Sequence, residues 1–108
     1  RLHTGMKVIN FSQNWNNKLD CAFFTTIRPA NSYYNLGDQY NIYLNKQFVK
    51  TVCIIDIKNF YLKDITTFVT YLDAGKSVSE FNVLMAKFYG SNPAKLNGQF
   101  FFILLKSV

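Results

Sequence analysis

Thr25-Thr26-Ile27-Arg28-Pro29, with Gly37-Asp38 and a β-rich run following, is the segment on which the fold turns. A proline disfavours helical geometry in the residue before it, so Arg28 is extended and the segment reads as the end of a strand. Side chains alternate across a strand, which sets Thr26 and Arg28 on one face. A hydroxyl beside a guanidinium, at the mouth of what reads as a small barrel, makes a candidate anion or nucleobase pocket.

Working outward, Ala22 to Arg28 is a strand, and Pro29-Ala30-Asn31-Ser32 breaks it into a loop carrying Tyr33 and Tyr34. Upstream, Lys7 to Phe11 alternates as a first strand, and Ser12 is read as the N-cap of a short helix through Trp15 and Leu19. Downstream, Gln39 to Leu44 carries Tyr40, Ile42 and Leu44 on one face, and a hairpin at Asn45-Lys46 leads into a long strand from Phe48 to Lys58. Both faces of that strand are apolar in its middle, Val52 and Ile54 on one and Cys53, Ile55 and Ile57 on the other, which predicts cover on both sides. Asp64-Ile65-Thr66-Thr67 starts a helix that ends at Asp73-Ala74-Gly75. Ser77-Val78-Ser79-Glu80 is a capping box, and Phe81, Leu84, Met85, Phe88 and Tyr89 form the apolar stripe of the next helix, read as core packing. A loop between Asn92-Pro93 and Asn97-Gly98 precedes the last strand, Gln99 to Lys106. The expected class is α+β: a small, partly open mixed β-barrel with about three helices over its ends.

A chain of 108 residues accommodates one domain with a single core, bounded here at residues 6–108. Residues 1–5 lack periodicity and read as an added or frayed extension, with Met6 as a natural start. The longest apolar run, Phe100 to Leu105, is far short of the roughly 20 residues that cross a bilayer, so no membrane partner is expected. With no secretory leader pattern and two widely separated cysteines, Cys21 and Cys53, the expected setting is cytoplasmic, with reduced thiols and at least one in the core, a disulfide being the lesser alternative. No zinc-ligand spacing occurs and no cofactor is implied. Twelve Lys and Arg against six Asp and Glu give a net charge of +6, which favours polyanionic partners or else marks an ordinary solvated lysine surface. A monomer is the expected state.

The order and spacing of three segments resemble the ASCH family of the PUA-like superfamily: Asn10-Phe11-Ser12 with Trp15; Thr26-Ile27-Arg28 leading to Gly37-Asp38; and Leu62 to Thr66 leading to Asp73-Ala74-Gly75, Ser77 and the helix ending in Tyr89-Gly90. The resemblance implies a pocket at one barrel end, between the first helix and the strand ending in Arg28, suited to a nucleobase or short RNA. Known enzymes of the family include an amidohydrolase of N4-acetylcytidine, and others are linked to ribonuclease activity or RNA binding. Its pocket motif is Gly-x-Lys-x-x-Thr-x-Arg. Aligned on Thr26 and Arg28, this chain has Cys21 at the glycine and Phe23 at the lysine, so the lysine-dependent hydrolase chemistry is expected to be absent.

The residues leave most candidates two readings. Arg28 clamps a phosphate or carboxylate or reads a guanine edge, or it pairs structurally with Asp38 or Asp56. Thr25 and Thr26 hydrogen-bond a base, or they reflect strand propensity. Trp15 stacks on a base, or fills core; Tyr33 and Tyr34, following the Pro/Asn/Ser loop, are read as exposed and as the better stacking candidates. Lys18 lies nearby in another register from the motif lysine. The expectation is an RNA- or nucleotide-binding module without catalysis; the alternative is a small hydrolase acting on an acylated nucleoside or on RNA, with the lysine's role moved elsewhere.

Overall fold

Strand-forming residues recur at period two from Lys7 onward, and their pairing fixes the architecture. The structure, a computed structural model, describes residues 6–108; the expected extension at residues 1–5 lies outside the described residues. Five strands, β1 (Lys7–Phe11), β2 (Phe23–Pro29), β3 (Gln39–Leu44), β4 (Gln47–Tyr61) and β5 (Gln99–Ser107), form one curled sheet in the order β1-β3-β4-β5-β2. β1 runs parallel to β3 and every other pair is antiparallel, with Thr26 opposite Ile103 and Arg28 opposite Phe101. β1 and β2 are the two edges, so the half-barrel has an open seam between them. The α+β, barrel-like class is as expected from the sequence.

Alternation divides the core in two. Ile9, Phe24, Tyr40, Ile42, Val52, Ile54, Ile103 and Leu105 fill the concave side of the sheet. Ile27 and Phe100 point the other way, against Phe81 and Met85 of α2 (Val78–Tyr89) and Ala74 of α1 (Thr67–Ala74). Burying a side chain such as Phe81 or Phe100 stabilises the fold by roughly 1.5–3 kcal/mol. No helix among the described residues is long and apolar enough to cross a membrane.

Four local expectations need correction. The strands covered on both faces are β2 and β5, whereas β4 has a bulge between Ile54 and Asp56 that leaves Ile55 exposed and turns Ile57 toward the concave core. The segment after β1 is a 3-10 helix, Trp15–Asp20, whose Asn16 and Asn17 adopt left-handed φ values of 56° and 55°; Asn14, not Ser12, precedes it. The loop after α2 contains a one-turn helix, α3 (Pro93–Leu96), with the Asn92 side chain accepting from Lys95 N and proline in its first turn. Neither cysteine is in the core: Cys21 is exposed, Cys53 is half-buried, and both are free.

Candidate functional site

The seam between the two edge strands is where the sheet leaves room. A hollow of about 570 Å³, within the size range of small-molecule sites, opens there. β1 and its following loop supply Asn10, Phe11 and Ser12 to one wall, and β2 supplies Thr26 and Arg28 to another. Trp15 and Lys18 of the 3-10 helix, Asp73 of α1, and Phe81, Leu84, Met85, Phe88 and Tyr89 of α2 complete it. The α2 stripe, read as core packing alone, is thus divided: Phe81 and Met85 are buried, while Phe88 is exposed along the cavity wall.

Arg28 spans the seam. Its Nε donates to Thr26 Oγ1 at 3.0 Å, as their shared strand face requires, and its Nη2 donates across the gap to the Asn10 carbonyl at 2.8 Å. The guanidinium carbon lies 4.7 Å from the centre of the Phe11 ring. The carboxylates once available as structural partners are otherwise placed: Asp38 pairs with Lys7 at 3.1 Å, and the Asp56 side chain accepts from the Ile57 amide. Of the five N–H donors of a guanidinium, the described residues take one from Nε and one from Nη2.

Deeper in the hollow lies the amine of Lys18, a candidate for ligand contact that the sequence placed near the Thr-x-Arg motif but in another register from its lysine. Lys18 is only 5% exposed, and its Nζ sits 3.1 Å from Asp73 Oδ1, itself on a residue 4% exposed. Thr25 Oγ1 donates to the same carboxylate oxygen at 2.8 Å, and the Lys18 ammonium also stands 5.4 Å from the Phe11 ring centre. Burial holds the Lys18 amine below its ordinary range; Asp73 opposes that shift and the Arg28 charge adds to it. Phe23, at the position of the motif lysine, is 56% exposed and does not line the hollow, whereas Lys18 brings an amine into it from another element.

The remaining candidates separate. Trp15 lines the hollow, with Lys76 Nζ 5.5 Å from its ring. Tyr33 is engaged elsewhere: its hydroxyl accepts from Val8 N at 2.6 Å and donates to Val8 O at 2.9 Å, clipping the outer edge of β1. Tyr34, expected to be exposed, is half-buried between Tyr40 and Phe101 and lines a neighbouring hollow that also touches Arg28. Thr26, Arg28, Trp15 and Lys18 are thus brought together in one cavity, and Thr25 supports it through Asp73. The residue the sequence reading missed is Asp73. Its signal was an acid in the last turn of α1, where the helix dipole disfavours negative charge and a cationic partner is called for.

No family model matches the chain, and no curated protein matches it. Among solved structures the chain is similar to protein EF3133 from Enterococcus faecalis V583, described under the family model DUF984, with a TM-score of 0.71 over 99% of this chain and 83% of that one. The two are 8% identical, so the likeness is one of fold.

Proposed function

We propose that the seam cavity holds a nucleotide or a nucleotide of an RNA, on an ASCH-type, PUA-like barrel. The observation that carries this reading is Arg28: a guanidinium seated on Phe11 and Asn10 with no carboxylate partner among the described residues, at the mouth of a hollow walled by Trp15. A planar fork of donors suits phosphate or a guanine edge, and an indole suits a base. Lys18, Arg28 and Lys46 against Asp73 leave the hollow net positive. Fluorescence polarisation with a labelled mixed-sequence RNA tests it. Affinity is expected to fall steeply with salt and by at least about tenfold in Arg28→Ala; no affinity at low salt, or an Arg28→Ala protein that binds as well, removes the reading.

The buried Lys18 favours a second reading, an acyl-nucleoside hydrolase. In its neutral form the amine takes a proton from a water attacking the acyl carbon, the Arg28 donors stabilise the oxyanion, and the Lys18 ammonium so formed returns the proton to the exocyclic nitrogen as the C–N bond breaks, releasing a carboxylic acid and the free exocyclic amine. Incubation with N4-acetylcytidine decides between the two: acetate release that disappears in Lys18→Met establishes hydrolysis, and none leaves binding alone.

A further inference from the structure

We propose that the ligand is a single-stranded polynucleotide, with two consecutive nucleotides seated in adjoining hollows and the phosphodiester between them held by Arg28. The inference rests on the nucleotide-binding reading of the seam cavity and extends it. A second hollow, of about 470 Å³, adjoins the first, and Arg28 and Tyr89 line both. The guanidinium, with unused donors, therefore borders both spaces, and the Tyr89 ring borders them with it.

The second space has the chemistry of a nucleotide subsite. Tyr34 offers a ring fixed by a tilted contact with Tyr40 and an edge contact with Phe101, and Tyr89 is held against Phe100 at 5.8 Å between ring centres. Rings immobilised in this way lose little freedom when a base stacks on them. Lys95 on α3 provides a cation at this end and Lys46 one in the first hollow, so positive charge flanks Arg28 on both sides, as a chain of phosphates requires. The Arg28 charge is close enough to both phenols to oppose the upward shift that burial gives each. A free mononucleotide would use only one of the two spaces, whereas a strand uses both and the guanidinium that borders them.

Competition against a labelled mixed-sequence RNA octamer tests the proposal, with the four nucleoside 5′-monophosphates, the corresponding 5′-phosphorylated dinucleotides, and poly-glutamate as competitors. The dinucleotides are expected to compete about tenfold better than the monophosphates, the increment of one stacked base. In Lys95→Ala that ratio is expected to shrink, and the salt slope for the octamer to drop by about one; circular dichroism checks that the variant is folded. Equal competition by mono- and dinucleotides overturns the two-nucleotide site while leaving the nucleotide-binding reading intact. Poly-glutamate matching the dinucleotides overturns it in favour of an acidic peptide. Failure of every competitor, with no octamer binding, removes both.

Discussion

Lys18 and Asp73 form a buried ion pair, whose two charges gain little net stability together but leave a large penalty if one is removed. Asp73→Leu alone strands a buried ammonium and is expected to cost about 3–5 kcal/mol. Adding Lys18→Met removes the stranded charge, so the double variant should recover much of that loss. Urea titration of the three proteins checks this, and a double variant as unstable as the sum of both single ones would contradict it. The same amine dictates a pH dependence. Burial holds its folded-state value below the ordinary 10.5, so in the interval between the two values the unfolded chain binds more protons than the folded one and stability rises with pH. Below the folded value both states carry the charge and the cost of burying it is constant. The parent protein should therefore gain stability relative to Lys18→Met as the pH climbs toward 10.5, the tyrosines being common to both; a difference that stays flat across that interval would mean that Lys18 is as well solvated folded as unfolded.

At the scale of elements, the pair meets because the 3-10 helix is docked on the end of α1. Asn16 Nδ2 reaches the Tyr71 and Leu72 carbonyls at 3.2 and 3.4 Å, and Gly75 ends α1 with a left-handed φ of 68°. A Cβ at Gly75 would lie 3.3 Å from Asn16 Oδ1. Gly75→Ala is thus strained both by its own backbone and by its neighbour, and a loss of about 1 kcal/mol or more is expected in thermal melts, together with weaker RNA binding because Asp73 precedes the strained turn by two residues. Gly37→Ala is the control: its φ of 87° is equally left-handed but a Cβ there meets nothing within 4 Å, so it should lose stability and keep binding. α2 and the end of α1 were legible in sequence because their signals are local: the Ser77–Glu80 capping box forms as written, with bonds of 2.9 and 3.1 Å, and Gly75 caps as glycine does. The 3-10 helix was not, because two consecutive left-handed asparagines follow no periodicity and they rotate Lys18 out of the register that spacing assigns. The bulge at Ile55 hid the cover of β4 for the same reason, since one inserted residue moves Ile57 to the opposite face from the one simple alternation predicts.

For the whole molecule the decisive feature is an incomplete barrel. A sheet ordered β1-β3-β4-β5-β2 leaves the outer edge of β1 without a strand partner, and edge groups left bare invite fraying or pairing with another chain. Here side chains cover that edge: the Tyr33 hydroxyl takes both Val8 groups, and Arg28 takes the Asn10 carbonyl. The strand content and the Thr26–Arg28 face could be read from the sequence, whereas the site could not be completed, because Asp73 comes to Lys18 from 55 residues away through packing of α1. Tyr33→Phe isolates the role of the seam. It deletes both hydrogen bonds to Val8 while leaving the ring packed on Tyr34 and Tyr40, and the freed edge groups can turn to water, so the global loss should be only about 1 kcal/mol. The local effect should be larger: amide hydrogen exchange in β1 is expected to accelerate while β4 and β5, at the centre of the sheet, keep their protection. Since Asn10, Phe11 and Ser12 are one wall of the hollow, nucleotide affinity should fall as well, although Tyr33 itself stands outside it. Acceleration spread evenly over all five strands would instead mean that the seam opens only when the molecule unfolds, and that the edge clip stabilises the fold without shaping the cavity.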